Sequence, residues 1–477
     1  MNEPRTEERA TAAHPVVDQL VEQLPEGAVA TDAETLARCS RDAATWADFA
    51  EPLAVVFARS IDDVVAVMRA ASAHEIPVIP RGAGTGLSGG ANAVTGSIVL
   101  SLERMRTIID VDAEERYAVV EAGVLNDELR RYVASFGLWY PPDPASAEIS
   151  SIGGNVATNA GGICCVKYGV TRDYVLGMTV VTASGEVAHL GRTTAKGVTG
   201  YDLTALMVGS EGTLGVIVDV TVRLRPLAGR QERAVVGYFA SLEDAGHAVA
   251  AVTADGIVPS ALELIDRTCL QAVAEWQGWD LPDDARALLL ATVDEVGEVG
   301  EVLAERLADL MVSAGGAQVE RAATPAEVAR LFAARRLAYS ALERVGPVLT
   351  EDVCVPRRAV PEALARIETI AAETDTLIAN IAHAGDGNLH PLIVVDDQDE
   401  EAMARAATAF ARIVEECRAL GGTVTGEHGV GLLKLPGAMG ELSPVVRSMH
   451  QAVKDALDPR GVLNPGKAFP PPRPDAS

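Results

Sequence analysis

Two histidines near the C-terminus, His383 and His390, have the spacing of metal ligands on a β-hairpin. Apolar runs flank them on both sides, and Asp386-Gly387 between them is a preferred two-residue hairpin turn. A turn of this length places His383 directly opposite His390, where the Cβ atoms of paired residues lie roughly 4.5–5.5 Å apart. The pattern therefore predicts that both imidazoles can bind one ion.

A carboxylate and a third imidazole stand next to each other in a glycine-flanked turn, Gly426-Glu427-His428-Gly429. Two histidines and one carboxylate that hold a metal with an open coordination position are suited to Lewis-acid chemistry. A single histidine in a hairpin is more often a satisfied polar side chain than a ligand, but the two segments support each other. Together they predict a metal site.

The glycine-rich stretch 80–90 contains the spacing Gly84-x-Gly86-x-x-Gly89, which is also found in nicotinamide-dinucleotide sites. That fingerprint must open a helix inside a βαβ unit. Here the chain runs straight into a predicted strand at 97–101, which leaves no room for such a helix. Because a glycine loop between strands can still present backbone N–H groups to a pyrophosphate, we predict a phosphate-bearing cofactor other than NAD.

Two further blocks of small residues support a cofactor site. In the block 141–162, the part that begins at residue 153 has almost no bulky side chains, so its backbone can approach a flat ligand closely. Its backbone amides and the side chains of Asn155 and Asn159 could form hydrogen bonds to ring heteroatoms. The block 209–217 is a third glycine-containing turn, just before a predicted strand.

The predicted elements that position these motifs change character along the chain. Short β-rich runs dominate from residue 52 to about residue 226, whereas strands and helices alternate regularly after residue 226. The alternation predicts an α+β domain with helices on one face of an antiparallel sheet. The first 45 residues are predicted to form an arm or cap outside the core, and the segment 443–467 is predicted to be helical. The predicted strands are 54–57, 76–79, 97–102, 117–120, 178–182, 215–224, 234–239, 261–265 and 287–293, and the predicted helices are 61–74, 268–276, 299–314, 361–373 and 400–420.

The bulk composition excludes several classes of protein. The formal net charge of −27 argues against a nucleic-acid partner or an anionic membrane surface. No apolar run approaches the length of a membrane span, and residues 1–10 lack the apolar region of a secretory signal. Six cysteines without metal-binding spacing indicate a reduced, cytoplasmic protein. Residues 470–477 form a Pro-rich tail.

The three small-residue blocks, in this order and spacing, resemble the FAD-binding domain of vanillyl-alcohol oxidase-like (PCMH-type) flavoproteins. The histidine and Glu427-His428 motifs resemble the metal-dependent D-2-hydroxyacid dehydrogenase branch, with D-lactate dehydrogenases, glycolate dehydrogenase catalytic subunits and D-2-hydroxyglutarate dehydrogenases. The resemblance implies an α+β fold: a two-subdomain PCMH-type FAD-binding domain, a ferredoxin-like α+β substrate (cap) domain and a C-terminal helical return segment. The corresponding bounds are 1–45 for the arm, 46–226 for the FAD domain, 227–420 for the cap and 421–477 for the segment returning to the flavin.

The resemblance also implies a role for each block in binding FAD. The first block would cradle the pyrophosphate, the second would line the isoalloxazine and ribityl chain, and the third would hold the adenosine half. Relatives that tether the flavin covalently use a histidine where this chain has Thr85, so the FAD is expected to be non-covalent. Cys164 and Cys165 are interpreted as small core residues. The residues concerned are Arg81, Gly82, Ala83, Gly84, Thr85, Gly86, Ser88, Gly89 and Gly90; Pro142, Ser146, Gly153, Gly154, Asn155, Thr158, Asn159 and Gly162; Glu211, Gly212, Gly215 and Ile217; and Asn464.

The same resemblance assigns roles in the metal and substrate site. His383, His390 and Glu427 would hold one divalent ion, with Zn²⁺ as the expected metal, and His428 would be the general base. Arg335 would bind the substrate carboxylate as a bidentate fork. The expected reaction oxidises a short D-2-hydroxy acid, D-lactate or glycolate, to the 2-oxo acid by hydride transfer to flavin N5.

Several alternatives stay open at the level of sequence. The D-2-hydroxyglutarate branch offers extra polar groups for a second carboxylate where this chain has Thr350 and Leu392, which favours a monocarboxylate. A metallohydrolase would use the histidine site with the glycine blocks as plain loops. A second alternative is a non-catalytic nucleotide-binding or complex-assembly subunit, as in glycolate dehydrogenase complexes, and the presence of His383, His390, Glu427 and His428 together argues against it. The electron acceptor (a quinone, a cytochrome or an electron-transfer flavoprotein) and a homodimeric assembly are likewise undecided.

Overall fold

The computed structural model describes residues 14–227, 231–322, 324–396 and 398–469. The predicted Pro-rich tail and residues 1–13 of the predicted arm lie outside these ranges. Among the described residues, no helix combines the length and the apolar content that a bilayer crossing requires.

The first sheet has four strands in the order β1-β2-β4-β3. Strands β2 and β3 both run parallel to β4, which lies between them. Helix α3 begins after Ser60, whose side chain accepts a hydrogen bond from the Asp63 backbone, and it buries Val64 and Met68 against the sheet. The elements are α1 (Pro15–Gln23), β1 (Val29–Ala30), α2 (Ala33–Cys39), β2 (Ala54–Phe57), α3 (Ile61–His74), β3 (Val78–Arg81) and β4 (Ile98–Ser101).

The N-terminal helix is part of this core, whereas the sequence pattern predicted an arm outside it. Val16 and Leu20 on α1 are fully buried and belong to the same apolar cluster as α3. The sequence pattern predicts the apolar spacing of α1 correctly. The surface that covers this helix comes from α3, which is distant in sequence.

A second, antiparallel sheet follows, with five strands in the order β5-β6-β10-β8-β9. Strand β10 pairs with both β6 and β8 and lies at its centre. The small-residue block 141–162 contains a short helix, α5, which the sequence analysis did not predict. The elements are β5 (Ile108–Asp112), β6 (Tyr117–Glu121), α4 (Asn126–Ala134), β7 (Leu138–Trp139), α5 (Ile152–Thr158), α6 (Cys165–Tyr168), β8 (Val175–Val181), β9 (Val187–Gly191), α7 (Leu203–Met207), β10 (Val216–Arg223) and β11 (Arg225–Pro226).

The C-terminal half is built on an eight-stranded antiparallel sheet, in the order β15-β12-β14-β13-β18-β19-β16 with β17 also paired to β19. Its elements are β12 (Arg233–Phe239), α8 (Leu242–Ala254), β13 (Ala261–Asp266), α9 (Arg267–Gln277), β14 (Ala287–Val293), α10 (Gly297–Ser313), β15 (Ala317–Ala322), α11 (Pro325–Leu331), α12 (Ala333–Glu343), β16 (Val348–Thr350), β17 (Val353–Cys354), α13 (Val360–Thr374), β18 (Leu377–His383), β19 (Asn388–Val394), α14 (Glu400–Ala419), α15 (Leu435–Glu441) and α16 (Pro444–Leu457).

Helices cover both faces of this sheet, so the prediction that they lie on one face is wrong. Leu262 and Leu264 on β13 pack in one apolar cluster with α8, α10, α13 and α14. Ile265, which points to the opposite face because strand side chains alternate, packs in another cluster with α9, α11 and α12. The α12 face is the one that carries the site described below.

The chain returns to the first sheet after α16, which ends at Leu457 rather than continuing to the predicted limit at 467. The backbone N–H of Val78 donates to Val462, and the backbone N–H of Asn464 donates to Val78. Residues 462–464 therefore lie beside the start of β3, and Lys467 Nζ donates to the carbonyl of Asn92, just after the glycine-rich loop.

Candidate active site

A cavity opens around the glycine-rich loop between β3 and β4, and it extends along α5 and the turn before β10. Its walls combine all three small-residue blocks with Glu427 and His428. Of the residues predicted to bind FAD, those that line the cavity are Arg81, Gly82, Ala83, Gly84, Thr85, Gly86, Ser88, Gly90, Ser146, Gly153, Gly154, Asn155, Thr158, Glu211, Gly212, Gly215 and Ile217.

The five remaining predicted residues are not part of the cavity lining. Gly89 lies against Ala47, Gly162 lies against Asp143, and the carbonyl of Pro142 accepts from Asn126. Asn159 follows the last residue of α5, and its side-chain oxygen accepts from the backbone N–H of Arg172. The amide of Asn464 donates to the carbonyls of Gly90 and Glu211, so it joins the first block to the third.

Glu211 lines the cavity and also contacts the loop that follows His428. Its carboxylate accepts from the backbone N–H groups of Val430 at 2.7 Å and Gly431 at 2.8 Å. The Glu211 side chain therefore joins the cavity wall to the loop that follows His428, and its contact with the adenosine half stays a prediction.

The cavity suits a flat dinucleotide cofactor. Its loop residues are small, so their backbone can approach a ligand, and the buried guanidinium of Arg81 supplies positive charge beside a pyrophosphate. Thr85 lines the cavity and offers no nucleophilic ring nitrogen, and neither Cys164 nor Cys165 is part of the lining. These features fit FAD held without a covalent bond.

The histidine hairpin forms, but with a register that differs from the prediction. His383 pairs with Asn388, and His390 pairs with Ile381, because the connection has four residues, 384–387, instead of two. The shift amounts to two positions, and strand side chains alternate with a period of two. Both imidazoles therefore still point to the same face, with ring centroids 5.1 Å apart.

Glu427 completes a three-donor cluster with the two hairpin histidines. Its Oε1 lies 3.3 Å from Nε2 of His383 and 3.3 Å from Nε2 of His390. Donors about 2.1 Å from a common tetrahedral centre lie roughly 3.4 Å apart. The spacing and the nitrogen–oxygen donor set therefore fit a divalent ion such as Zn²⁺.

The charges of the cluster favour a bound positive charge. Burial lowers the pKa of His383, but the carboxylates of Glu263 and Glu427 outweigh it and raise the pKa well above its usual value. Burial raises the pKa of Glu427, but His383 and His390 outweigh it and hold the pKa well below its usual value. A cation bound between the three donors would supply that positive charge in place of a proton.

The turn that carries Glu427 and His428 is fixed by Asp352, a fully buried carboxylate between β16 and β17. Asp352 accepts from three successive backbone N–H groups, those of Gly426, Glu427 and His428. It also accepts from the Thr425 hydroxyl and from Lys434 Nζ. Because successive N–H groups form an anion-binding concavity, the turn has one strongly preferred position.

Arg335 approaches the cluster from α12 on the same face of the sheet. Its Nε donates to Glu263 Oε2 at 2.7 Å, and Glu263 Oε1 lies 2.7 Å from His383 Nδ1. Burial raises the pKa of Glu263, but His383 and Arg335 outweigh it, so the pKa is lowered and the carboxylate is charged. Among the described residues, the two terminal nitrogens of Arg335 have no protein acceptor within hydrogen-bonding distance.

His428 lines the cavity and lies next to the three-donor cluster. Its Nε2 lies 3.8 Å from Glu427 Oε1, and its ring stacks on His390 at 5.0 Å. Burial lowers the pKa of His428 to about 4. The imidazole is therefore neutral near pH 7, which is the state that can accept a proton.

The family described as "FAD binding domain" matches residues 52–191, and the family described as "FAD linked oxidases, C-terminal domain" matches residues 229–468. The chain belongs to the FAD-linked oxidase family. It is 40% identical over 419 residues to "Glycolate oxidase subunit GlcD" of Bacillus subtilis (strain 168), a match that covers 88% of this chain and 89% of the relative.

Two other curated relatives of this FAD-linked oxidase carry different names. "D-lactate dehydrogenase" of Anaerostipes hadrus is 36% identical over 88% of this chain and 90% of its own length. "D-2-hydroxyglutarate dehydrogenase" of Stutzerimonas stutzeri (strain A1501) is 34% identical over 95% and 98%, respectively. The chain is thus an FAD-linked oxidoreductase, and FAD is its cofactor.

Solved structures confirm the predicted PCMH-type fold. The chain resembles p-cresol methylhydroxylase with a TM-score of 0.78 at 20% identity, over 95% of this chain and 96% of that one. It also resembles 4-ethylphenol oxidase from Gulosibacter chungangensis with a TM-score of 0.77 at 21% identity, over 95% and 97%. At this level of identity the likeness concerns the fold.

Sequence reasoning missed two carboxylates of this FAD-linked oxidase, Glu263 and Asp352. Both are fully buried, and each contacts the site through other residues. A signal was present for Glu263, because a lone carboxylate inside the apolar run 261–265 must be paired if the strand is buried. Asp352 had a weaker signal, since it follows a strand next to a second acid, Glu351, and the sequence gives no partner for either.

Proposed function

We propose that this chain is a metal-dependent FAD dehydrogenase that oxidises a short D-2-hydroxy acid, D-lactate or glycolate, to the 2-oxo acid. One observation carries the proposal: His428 lines the FAD cavity and also stands beside the three-donor cluster of His383, His390 and Glu427. A base at this junction serves a substrate held between a cation and a flavin. The names of the relatives supply the substrate class and the D configuration.

The residues divide the work of the reaction among them. FAD would supply a hydride acceptor, and a divalent ion held by His383, His390 and Glu427 would supply a Lewis acid. The free nitrogens of Arg335 bind the substrate carboxylate and orient the carbon that loses hydride. His428 takes the proton of the hydroxyl, and Asp352 keeps His428 in place through the backbone of its turn.

Leu392 and Thr350 support a monocarboxylate over a dicarboxylate. They are cross-strand partners on β19 and β16, on the face that carries His390. Thr350 Oγ1 is buried beside the hydroxyl of Tyr339. This neutral hydroxyl can bind a polar substrate group, but neither residue can neutralise a second carboxylate, whose burial without a cation is costly.

The purified protein should reduce a dye acceptor with D-lactate or glycolate far faster than with D-2-hydroxyglutarate, and hardly at all with L-lactate. The measurement is the ratio of kcat/KM values across this panel. A higher ratio for D-2-hydroxyglutarate would overturn the monocarboxylate assignment and leave the D-2-hydroxyacid class intact. A preference for L-lactate would overturn the class itself.

The FAD should be released when the protein is precipitated with acid, because Thr85 stands at the position of the tethering histidine. The yellow chromophore is expected in the supernatant, and its absorbance gives the amount of FAD per chain. Colour that remains in the pellet would contradict non-covalent binding.

The reduced flavin must pass its electrons to a further partner, and the structure of the cavity does not select it. A quinone, a cytochrome and an electron-transfer flavoprotein are all compatible with the proposed chemistry. Because the GlcD relatives are named as subunits, we propose that this chain is the catalytic subunit of a larger assembly. A homodimer and a cytoplasmic location stay predictions.

A further inference from the structure

We propose that Glu263 is a positioning residue that couples metal binding at His383 to carboxylate binding at Arg335. The inference rests on the proposed function and concerns a residue that neither binds the ion nor touches the substrate. Its basis is a single buried carboxylate whose two oxygens contact two different parts of the site.

The first contact is with the metal-binding imidazole. Glu263 on β13 and His383 on β18 are directly paired across the sheet, and Glu263 Oε1 lies 2.7 Å from His383 Nδ1. When Nδ1–H donates to this oxygen, the lone pair of Nε2 must point to Glu427 and the ion site. A carboxylate that fixes a histidine in this way sets both the tautomer and the ring orientation.

The second contact is with the guanidinium. Arg335 Nε donates to Glu263 Oε2 at 2.7 Å, and the Arg335 side chain is only 12% exposed. This bond leaves the two terminal nitrogens for a carboxylate ligand and fixes the plane in which they lie. A full-length glutamate side chain is needed because its two oxygens must reach donors on β18 and α12 at the same time.

Glu263→Asp tests the coupling at constant charge, because aspartate is one methylene shorter and cannot reach both donors. Metal affinity should fall by about 10–100-fold, as expected for the loss of an outer partner of a metal-binding histidine. The affinity for pyruvate, measured at saturating metal as a change in the absorbance of the oxidised flavin, should fall about tenfold. Pyruvate cannot be oxidised further by hydride loss, so the signal reports binding without turnover.

A double-mutant cycle separates the effect of Glu263 on metal binding (the metal arm) from its effect on carboxylate binding through Arg335. On an Arg335→Lys background, Glu263→Asp should add little to the loss of pyruvate affinity, because its effect acts through the guanidinium. It should still weaken metal binding on that background. Glu301→Asp is the matched control, since Glu301 contacts Nε of Arg233 at 2.9 Å in the same domain and away from the site. It should change neither affinity.

The outcomes distinguish the inference from the proposed function. If Glu263→Asp binds metal and pyruvate as the unmodified protein does, or loses metal affinity alone, the coupling is refuted and the function stands. If Glu263→Asp fails to fold, as judged by FAD content and melting temperature, Glu263→Gln replaces it, and unchanged metal affinity in that variant refutes the metal arm. If the unmodified protein binds no metal, the proposed function fails as well.

Discussion

Replacing His428 with alanine should lower the turnover of D-lactate by about 10²–10⁴-fold, the usual contribution of a positioned general base. The ring is neutral, lines the flavin cavity and stands 3.8 Å from the metal-binding carboxylate. The loss should appear in kcat and not in FAD or metal content. Steady-state kinetics with a dye acceptor, together with flavin and metal analysis of the same sample, provide the measurement.

The variant should fold, because the backbone of His428 carries its structural role. Its N–H donates to Asp352 at 2.9 Å, and its carbonyl and that of Gly429 accept from Ser88. None of these bonds uses the imidazole. The matched control is His247→Ala, on the exposed side of α8, which should leave turnover unchanged. A His428→Ala enzyme with near-normal turnover would remove His428 from the role of base.

The local parts of the fold could be predicted from the sequence because local interactions decide them. The helix Ile61–His74 and the strands Ala54–Phe57 and Ala287–Val293 have the predicted bounds. A serine cap begins the helix, and continuous apolar runs form the two strands. The way in which the elements pack against one another was predicted less well. The burial of α1 and the helices on both faces of the eight-stranded sheet show this.

The candidate site was predicted through residue types, whereas its geometry depended on contacts distant in sequence. The predicted two-residue turn gave the wrong pairing for His383, but the error of two positions preserved the face. Chance thus contributed to the agreement, since an error of one position would have separated the imidazoles. Glu263 and Asp352 could not be assigned, because their partners lie 120 and 76 positions away.

Replacing His390 with alanine should remove the metal and nearly all activity while FAD stays bound. Two of three protein donors then remain, so the loss of affinity should exceed the about 10–100-fold that a missing outer partner causes. Neither His383 nor His390 lines the flavin cavity, so the substitution removes no side chain from its wall. Elemental analysis after dialysis measures the metal, and flavin absorbance measures the FAD.

Gly161→Ala tests the same site without removing a donor. A Cβ at Gly161 would overlap Glu427 Oε2, so the Glu427 carboxylate must shift from its position beside the two imidazoles. Metal content should therefore fall in this variant as well. Gly346→Ala is the control, since its Cβ would meet a methyl of Val394 at 3.2 Å and the Val395 carbonyl oxygen at 3.9 Å, and no donor of the cluster. A metal-free His390→Ala protein that turns over D-lactate at the normal rate would show that the cluster of His383, His390 and Glu427 has no part in catalysis.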